Sequence, residues 1–213
     1  MCIRDRRCTA GSRILAERAI YPDLVTRLAA RAERIRVGDP SDPATEIGAL
    51  VHSEHYARVL SYVQAGRDEG ARLVAGGSRP RTQPVGNYLA ATVFADVEPW
   101  MRIFREEIFG PVVCVTPFEG EAEAIALAND TSYGLAAYLW TSDLARAHRL
   151  ADAVEAGMTW INSHNVRDLR TPFGGVKASG LGREGGSHSL DFYTQSRIVH
   201  VPLGDTHVPR FGA

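Results

Sequence analysis

The sequence predicts an α/β protein with a mostly parallel sheet flanked by helices. Three observations predict it. Short β-branched or apolar runs alternate with stretches of helical periodicity along most of the chain. The helical stretches have start and stop residues, such as Pro22 in a first turn, Asp143 ahead of Leu144, and Gly157 beyond the last periodic position. The 213 residues, 45% hydrophobic and 23% charged, are enough for one large domain or a domain with an appendage.

In chain order, Arg13-Ile14-Leu15-Ala16 reads as a strand. From Pro22 onward Leu24, Val25, Leu28, Ala29, Ala32 and Ile35 fall at helical spacing. Gly38 to Pro43 is a loop by composition. Ser53 reads as the N-cap of a helix to about Glu69, with Tyr56, Val59, Leu60 and Val63 on its apolar face. Ala71 to Ala75 is a short strand ended by Gly76-Gly77, and Arg79 to Gly86 an exposed loop. Tyr88 to Phe94 and Val112 to Thr116 read as strands, Glu121 to Asn129 as a short helix, and Gly134 to Trp140 as a strand. A helix capped by Asp143 follows, then a strand over Met158 to Asn162. Gly174 to Gly186 holds six glycines and predicts a loop packed closely on something. Ser187 to Tyr193 allows one or two helical turns. Arg197 to Val201 reads as a strand whose pairing partner is distant or in another chain.

The bulk numbers exclude several classes. A net charge of -1 with interspersed signs leaves no basic stripe for nucleic acid and no polybasic run for a membrane surface. No apolar run approaches the roughly 20 residues that span a bilayer. Three cysteines without regular spacing argue against a disulfide framework and for a reducing compartment, the cytoplasm. The seven histidines are scattered, and no metal site is predicted. Residues 1–6 lack the apolar core of a secretory signal and lead abruptly into a motif; a non-native leader or a truncated gene model is expected.

Chemistry concentrates at a few positions. Cys8 sits among Thr9, Ala10, Gly11 and Ser12, which leave room for a substrate, and near Arg6, Arg7 and Arg13, which favour a thiolate. The alternative is a buried structural thiol. Cys114, inside Val112-Val113-Cys114-Val115, reads as core. Glu106 and Glu107 are adjacent, so in extended chain they face opposite sides and meet different surroundings. One of them suits a diol such as a ribose; simple solvation is the alternative. Arg167 and Arg170 flank Asp168-Leu169, and their planar forks suit a carboxylate, against an ion pair with Asp168. The Gly-Leu-Gly at 180–182 lacks the strand and helix context of a dinucleotide fingerprint, which leaves a tight loop with positive φ.

Taken together, the motifs resemble the NAD(P)-dependent aldehyde dehydrogenase superfamily. They are Arg7-Cys8-Thr9-Ala10-Gly11-Ser12-Arg13, Glu106-Glu107-Ile108-Phe109-Gly110-Pro111, Trp160-Ile161-Asn162, and Pro172-Phe173-Gly174-Gly175 running on to Gly186. The resemblance implies a catalytic domain over 7–185 and a tail over 186–213 with an oligomerisation strand, hence a homodimer or homotetramer. Cys8 matches the nucleophile, which adds to the aldehyde, loses hydride to the nicotinamide and leaves a thioester for water. Glu107 matches the carboxylate on the nicotinamide-side ribose, Phe109 the aromatic residue beside the nicotinamide, and Phe173 a wall of the aldehyde channel. NAD is the implied cofactor.

Within the superfamily, Asn165 to Gly175 with Gly185-Gly186-Ser187-His188-Ser189 is similar to the muconic semialdehyde dehydrogenases of aromatic ring cleavage. The tail His207 to Gly212 points the same way. An acidic semialdehyde is the implied substrate, with Arg167 and Arg170 at its carboxylates. There are departures. Arg4-Asp5-Arg6 stands where the family has Gly-Gln or Gly-Glu, and Ala91 where a proline is usual. The family's cofactor domain, general-base glutamate and oxyanion asparagine have no counterpart in these residues. The chain alone is therefore expected to be inactive. Two other classes remain open: a dimerising module and a cofactor-free thioesterase using Cys8.

Overall fold

The computed structural model describes residues 7–164, 166–207 and 212. The expected leader at 1–6, Asn165 and most of the tail motif at 208–213 lie outside the described residues. The main sheet has four strands in the order β1-β4-β3-β2 (β1, Arg13–Glu17; β2, Arg72–Ala75; β3, Thr92–Ala95; β4, Val112–Phe118). β1 and β3 run parallel to β4, and β2 is antiparallel on the edge beside β3.

Period-two alternation along β3 and β4 divides the core between the two faces of this sheet. Phe94, Val112 and Cys114 face one side and meet α2 (Ser53–Asp68) and the short α3 (Arg102–Arg105) through Val59, Tyr62, Val63, Ile103 and Phe104. Val93, Ala95 and Val115 face the other side and meet α1 (Tyr21–Glu33) through Tyr21, Val25 and Ala32. Both faces being covered is what a mostly parallel sheet requires. The Tyr21 hydroxyl donates to Asp96 at 2.7 Å and ties α1 to the end of β3. Burial first, and then this bond, push the Tyr21 phenol up to about 12.

Beyond α4 (Gly120–Asn129) the chain builds two small sheets. β6 (Ala136–Leu139) pairs in parallel with β7 (Met158–Ile161), with α5 (Leu144–Ala153) between them. β5 (Tyr133–Gly134) pairs antiparallel with β8 (Val176–Lys177). Helix α6 covers Gly186–Tyr193. Among the described residues no helix is long and apolar enough to cross a membrane.

Several expectations change. The single strand over Gly134 to Trp140 is two, β5 and β6, because Gly134 and Ala136 pair with different partners. The N-cap of α2 is His52, whose Nδ1 accepts from the His55 N–H at 3.1 Å; Ser53 is already helical. Helix α3 and strand β8 are too short to leave a periodic signature. Arg197 to Val201 makes no ladder within the described residues. Ile198, Val199 and Val201 are exposed there, so an intrachain strand is not formed.

The glycine-rich stretch does pack closely, chiefly through backbone contact. A Cβ on Gly157 would lie 1.9 Å from the Gly174 carbonyl, so β7 and the loop touch backbone to backbone there. The tight loop with positive φ is present: Gly180, Gly185 and Gly186 have positive φ, while Gly174 and Gly182 do not.

Candidate active site

The parallel register of β1 and β4 sets the site. Arg13 lies opposite Cys114, and the Cys114 N–H donates to the Ser12 carbonyl at 2.9 Å. The stretches just before both strands, 7–12 and 106–111, therefore emerge at the same edge of the sheet. That is the amino-terminal edge, opposite to the edge at which open α/β sheets usually bind ligands.

Cys8 lies in a turn closed by the Ala10 N–H on the Arg7 carbonyl at 3.0 Å. Its side chain is exposed, while Thr9 beside it is buried. The thiol faces an open cavity of roughly 440 Å³ also lined by Phe173, Ser179, Glu184 and Tyr193. The sequence expects Arg7 and Arg13 to favour the thiolate. Arg7 Nε donates to Thr9 Oγ1 at 2.9 Å. Arg13 does not serve Cys8. Its guanidinium donates to the carbonyls of Leu127 and Ala128 at the end of α4 and lies 4.8 Å over the Phe104 ring. A cation there answers the unpaired carbonyls of a helix C-terminus. Cys114 is core, as its apolar strand predicts. Burial pushes its thiol up to about 12, which makes it inert at neutral pH.

The two glutamates do have different surroundings. The Arg102 guanidinium at 3.1 Å and then the Tyr62 hydroxyl at 2.8 Å hold the Glu106 carboxyl below the usual carboxylate range. The Glu107 side chain is exposed, and its carboxylate accepts no hydrogen bond among the described residues. Phe109 takes a left-handed backbone (φ 55°), uncommon for a bulky residue. His55 Nε2 lies 2.9 Å from the Phe109 carbonyl, and an Arg58 N–H reaches the Glu107 carbonyl at 3.5 Å. His55, Arg58 and Tyr62 are spaced i, i+3, i+7 on α2, so one helix face holds the whole 106–109 segment. Gly110 allows this approach, since a Cβ there would meet Val59 at 2.6 Å. Sequence reasoning missed these three residues; their spacing was the available signal.

Arg167 and Arg170 part company. Arg170 makes several hydrogen bonds to Asp168 and closes an ion pair at 2.6 Å, the local alternative. Arg167 lies with its guanidinium 4.5 Å from the centre of the Phe173 ring. It makes no ion pair or side-chain hydrogen bond among the described residues. It lines a second cavity of about 360 Å³, with Trp160, Val166 and Pro172. Phe173 lines both cavities, so it is the wall between Cys8 and Arg167. The Phe173 backbone is fixed by reciprocal hydrogen bonds with Glu184.

An exposed cysteine in a tight turn faces a glycine-walled cavity, and a separate Glu-x-Phe loop emerges at the same sheet edge. That arrangement is the one to compare with known proteins. Residues 2–199 match the sequence profile described as the aldehyde dehydrogenase family. The chain belongs to the aldehyde dehydrogenase family. It is 53% identical over 192 residues to 5-carboxymethyl-2-hydroxymuconate semialdehyde dehydrogenase of Escherichia coli, covering 88% of this chain and 41% of that protein. It is 47% identical to a betaine aldehyde dehydrogenase of Sinorhizobium fredii, over 95% of this chain and 42% of that one. Among solved structures, HpcC of Thermus thermophilus superposes with a TM-score of 0.87 at 56% identity, covering 98% of this chain and 41% of that one. An NAD+ complex of a Bacillus cereus aldehyde dehydrogenase gives 0.87 at 43% identity, over 93% and 40%. The chain thus spans about two fifths of the length of these relatives. Aldehyde dehydrogenases are oxidoreductases, and NAD+ complexes are known in the family.

Proposed function

We propose that the whole protein to which this chain corresponds oxidises 5-carboxymethyl-2-hydroxymuconate semialdehyde, an acidic semialdehyde of homoprotocatechuate breakdown, to its carboxylate with NAD. The observation that carries this reading is the line Cys8, Phe173, Arg167: an exposed thiol and a guanidinium with available donors on two sides of one aromatic wall. A cation stacked on a ring uses its face; its in-plane N–H donors still point outward and fit a carboxylate. Arg170, occupied by Asp168, is withdrawn to a supporting role at the loop. The identity to the E. coli semialdehyde enzyme supports the same reading.

In the reaction the Cys8 thiolate adds to the aldehyde carbon and forms a thiohemiacetal, whose carbon is set up to lose hydride. NAD, when bound, accepts that hydride. The thioester left on Cys8 is cleaved by water, which releases the carboxylate and restores the thiol. The residues present fit the nicotinamide half of the cofactor. The Glu107 carboxylate is exposed and accepts no hydrogen bond from the described residues, which leaves its oxygens available to a ribose diol, and the loop bearing Glu107 and Phe109 is held from α2. The described residues include no Gly-rich strand-to-helix turn for a pyrophosphate, and we expect this chain alone to be inactive.

Steady-state kinetics of the whole protein test the assignment. Arg167→Ala is expected to raise KM for the acidic semialdehyde by roughly tenfold or more, the value of a hydrogen bond to a charged group. A neutral aldehyde of similar length should change little. An equal loss for both aldehydes would defeat the arginine assignment. A higher kcat/KM for 2-hydroxymuconic semialdehyde, the alternative substrate among the muconic semialdehydes, would transfer the activity to it.

We also infer that residues 197–201 complete a sheet in a second copy. Their apolar side chains are exposed and their backbone has no ladder among the described residues, the state of a strand awaiting an edge. Sedimentation of the chain and its Val199→Pro variant should show a dimer becoming a monomer. A monomeric parent, or a variant with unchanged mass, would sink this interface.

A further inference from the structure

Tyr138 stands outside every motif that led to the site. It is the third residue of β6, a strand of the small sheet rather than the main one. Its hydroxyl nevertheless donates to the Thr9 carbonyl at 2.6 Å, across a large separation in sequence. Thr9 is the residue after Cys8 and occupies the same turn. That turn is closed on one side by the Ala10 N–H on the Arg7 carbonyl and on the other by Arg7 Nε on Thr9 Oγ1. The Tyr138 bond fixes the peptide plane between Thr9 and Ala10, and with it the direction in which the turn presents Cys8.

The phenol is itself held. In the parallel register of β6 and β7, Tyr138 lies opposite Trp160, and the two rings stack with centroids 5.1 Å apart and planes 16° apart. The His164 ring stacks on Tyr138 as well, at 4.7 Å and 23°. Trp160 is anchored in turn by its indole N–H on the Val166 carbonyl at 2.9 Å. The same Trp160 and Val166 line the cavity that holds Arg167. A continuous path of contacts therefore runs from the Arg167 cavity through Trp160 and Tyr138 to the backbone of the Cys8 turn.

We propose that Tyr138 is a positioning residue for Cys8: its hydroxyl, braced by the Trp160 and His164 rings, holds the Cys8–Thr9 turn so that the thiol faces the Phe173 cavity. This rests on the reading of Cys8 as the reacting thiol, but its test needs neither NAD nor an aldehyde. A side chain that acts only through a backbone carbonyl does not touch substrate. It changes where the thiol points and leaves the chemistry of the thiol alone. Loss of the hydroxyl should therefore alter access to Cys8 in a way that depends on the size of the attacking reagent.

The experiment uses the 213-residue chain carrying Cys2→Ser. Cys8 is then the reactive thiol, because Cys114 is buried and its thiol is pushed up to about 12. Alkylation is followed with two probes of different size, iodoacetamide and the much bulkier N-(1-pyrenyl)maleimide. Tyr138→Phe keeps the stacked ring and removes the hydroxyl alone. The ratio of the maleimide rate to the iodoacetamide rate is expected to rise about fivefold, the population shift that one neutral hydrogen bond commands. The melting temperature should stay within a few degrees of the parent's. A ratio within twofold of the parent's would overturn the proposal. So would a large fall in melting temperature with Cys114 becoming labelled, which would make Tyr138 a residue of the fold and not of the turn. If Tyr138→Phe has no effect while the whole enzyme still oxidises its aldehyde, the positioning claim fails and the nucleophile assignment stands.

Discussion

Cys8→Ser in the whole protein is expected to lower aldehyde oxidation by at least about 10³-fold, because a serine hydroxyl stays protonated at neutral pH and is a far weaker nucleophile than a thiolate. NADH formation at saturating aldehyde measures it. The effect should fall on kcat, since the cavity walls, Phe173 and the Glu184-bonded loop, are untouched by the change. Cys114→Ala is the matched control. That thiol is buried against Ile103, donates to its carbonyl at 3.3 Å, and takes no part in the cavity. It should cost stability while leaving turnover within a few-fold. Full activity in the serine variant would remove Cys8 from the chemistry.

Phe94→Ala is expected to destabilise the domain by about 3–5 kcal/mol, the range for truncating a fully buried phenylalanine. Phe94 is 0% exposed and sits on β3 beneath α2 and α3. Helix α2 approaches so closely that a Cβ on Gly66 would come within 3.1 Å of the Phe94 ring, so the neighbours are already in contact and cannot close the void by a small shift. With total stabilities of about 5–15 kcal/mol, this loss removes a large part of the folded population's margin. Urea unfolding followed by circular dichroism measures it. A loss under about 1 kcal/mol, well below that range, would mean that the packing on this face of the sheet is not as close as the ring contacts indicate. The change should also loosen the 106–109 loop, which depends on α2 for His55, Arg58 and Tyr62.

Both results bear on how the fold supports the site. The sheet holds the Cys8 turn and the Glu107 loop at one edge through the β1–β4 register, and α2 holds the loop from behind. The β6–β7 sheet reaches the turn through Tyr138. The main sheet and α2 together form the core, whereas the β6–β7 sheet touches the Cys8 turn from outside it.

Much of this was legible in the amino-acid order. Helical spacing predicted α1, α2 and α5, and short apolar or β-branched runs predicted β1, β2, β4 and β7, because these signals lie in neighbouring residues. Cys114 was legible as core from its apolar strand, and the Asp143 cap from its position. The family follows from four motifs whose order and spacing the chain preserves. Other features were not legible because they depend on packing between distant segments. The choice between Glu106 and Glu107 turns on Arg102 and Tyr62, and the latter comes from another helix. Arg167 and Arg170 are chemically alike in sequence; a two-residue turn gives one of them to Asp168, and the ring of Phe173 takes the other. Arg13, adjacent in sequence to the Cys8 motif, is drawn away by the carbonyls ending α4. Residue order alone settles which elements form and which family the chain resembles, because those signals are local or ordered along the chain. Packing in three dimensions settles which of two equivalent charges is available and brings Tyr138 to the Cys8 turn, because a side chain's partner depends on what lies beside it and not on what precedes it.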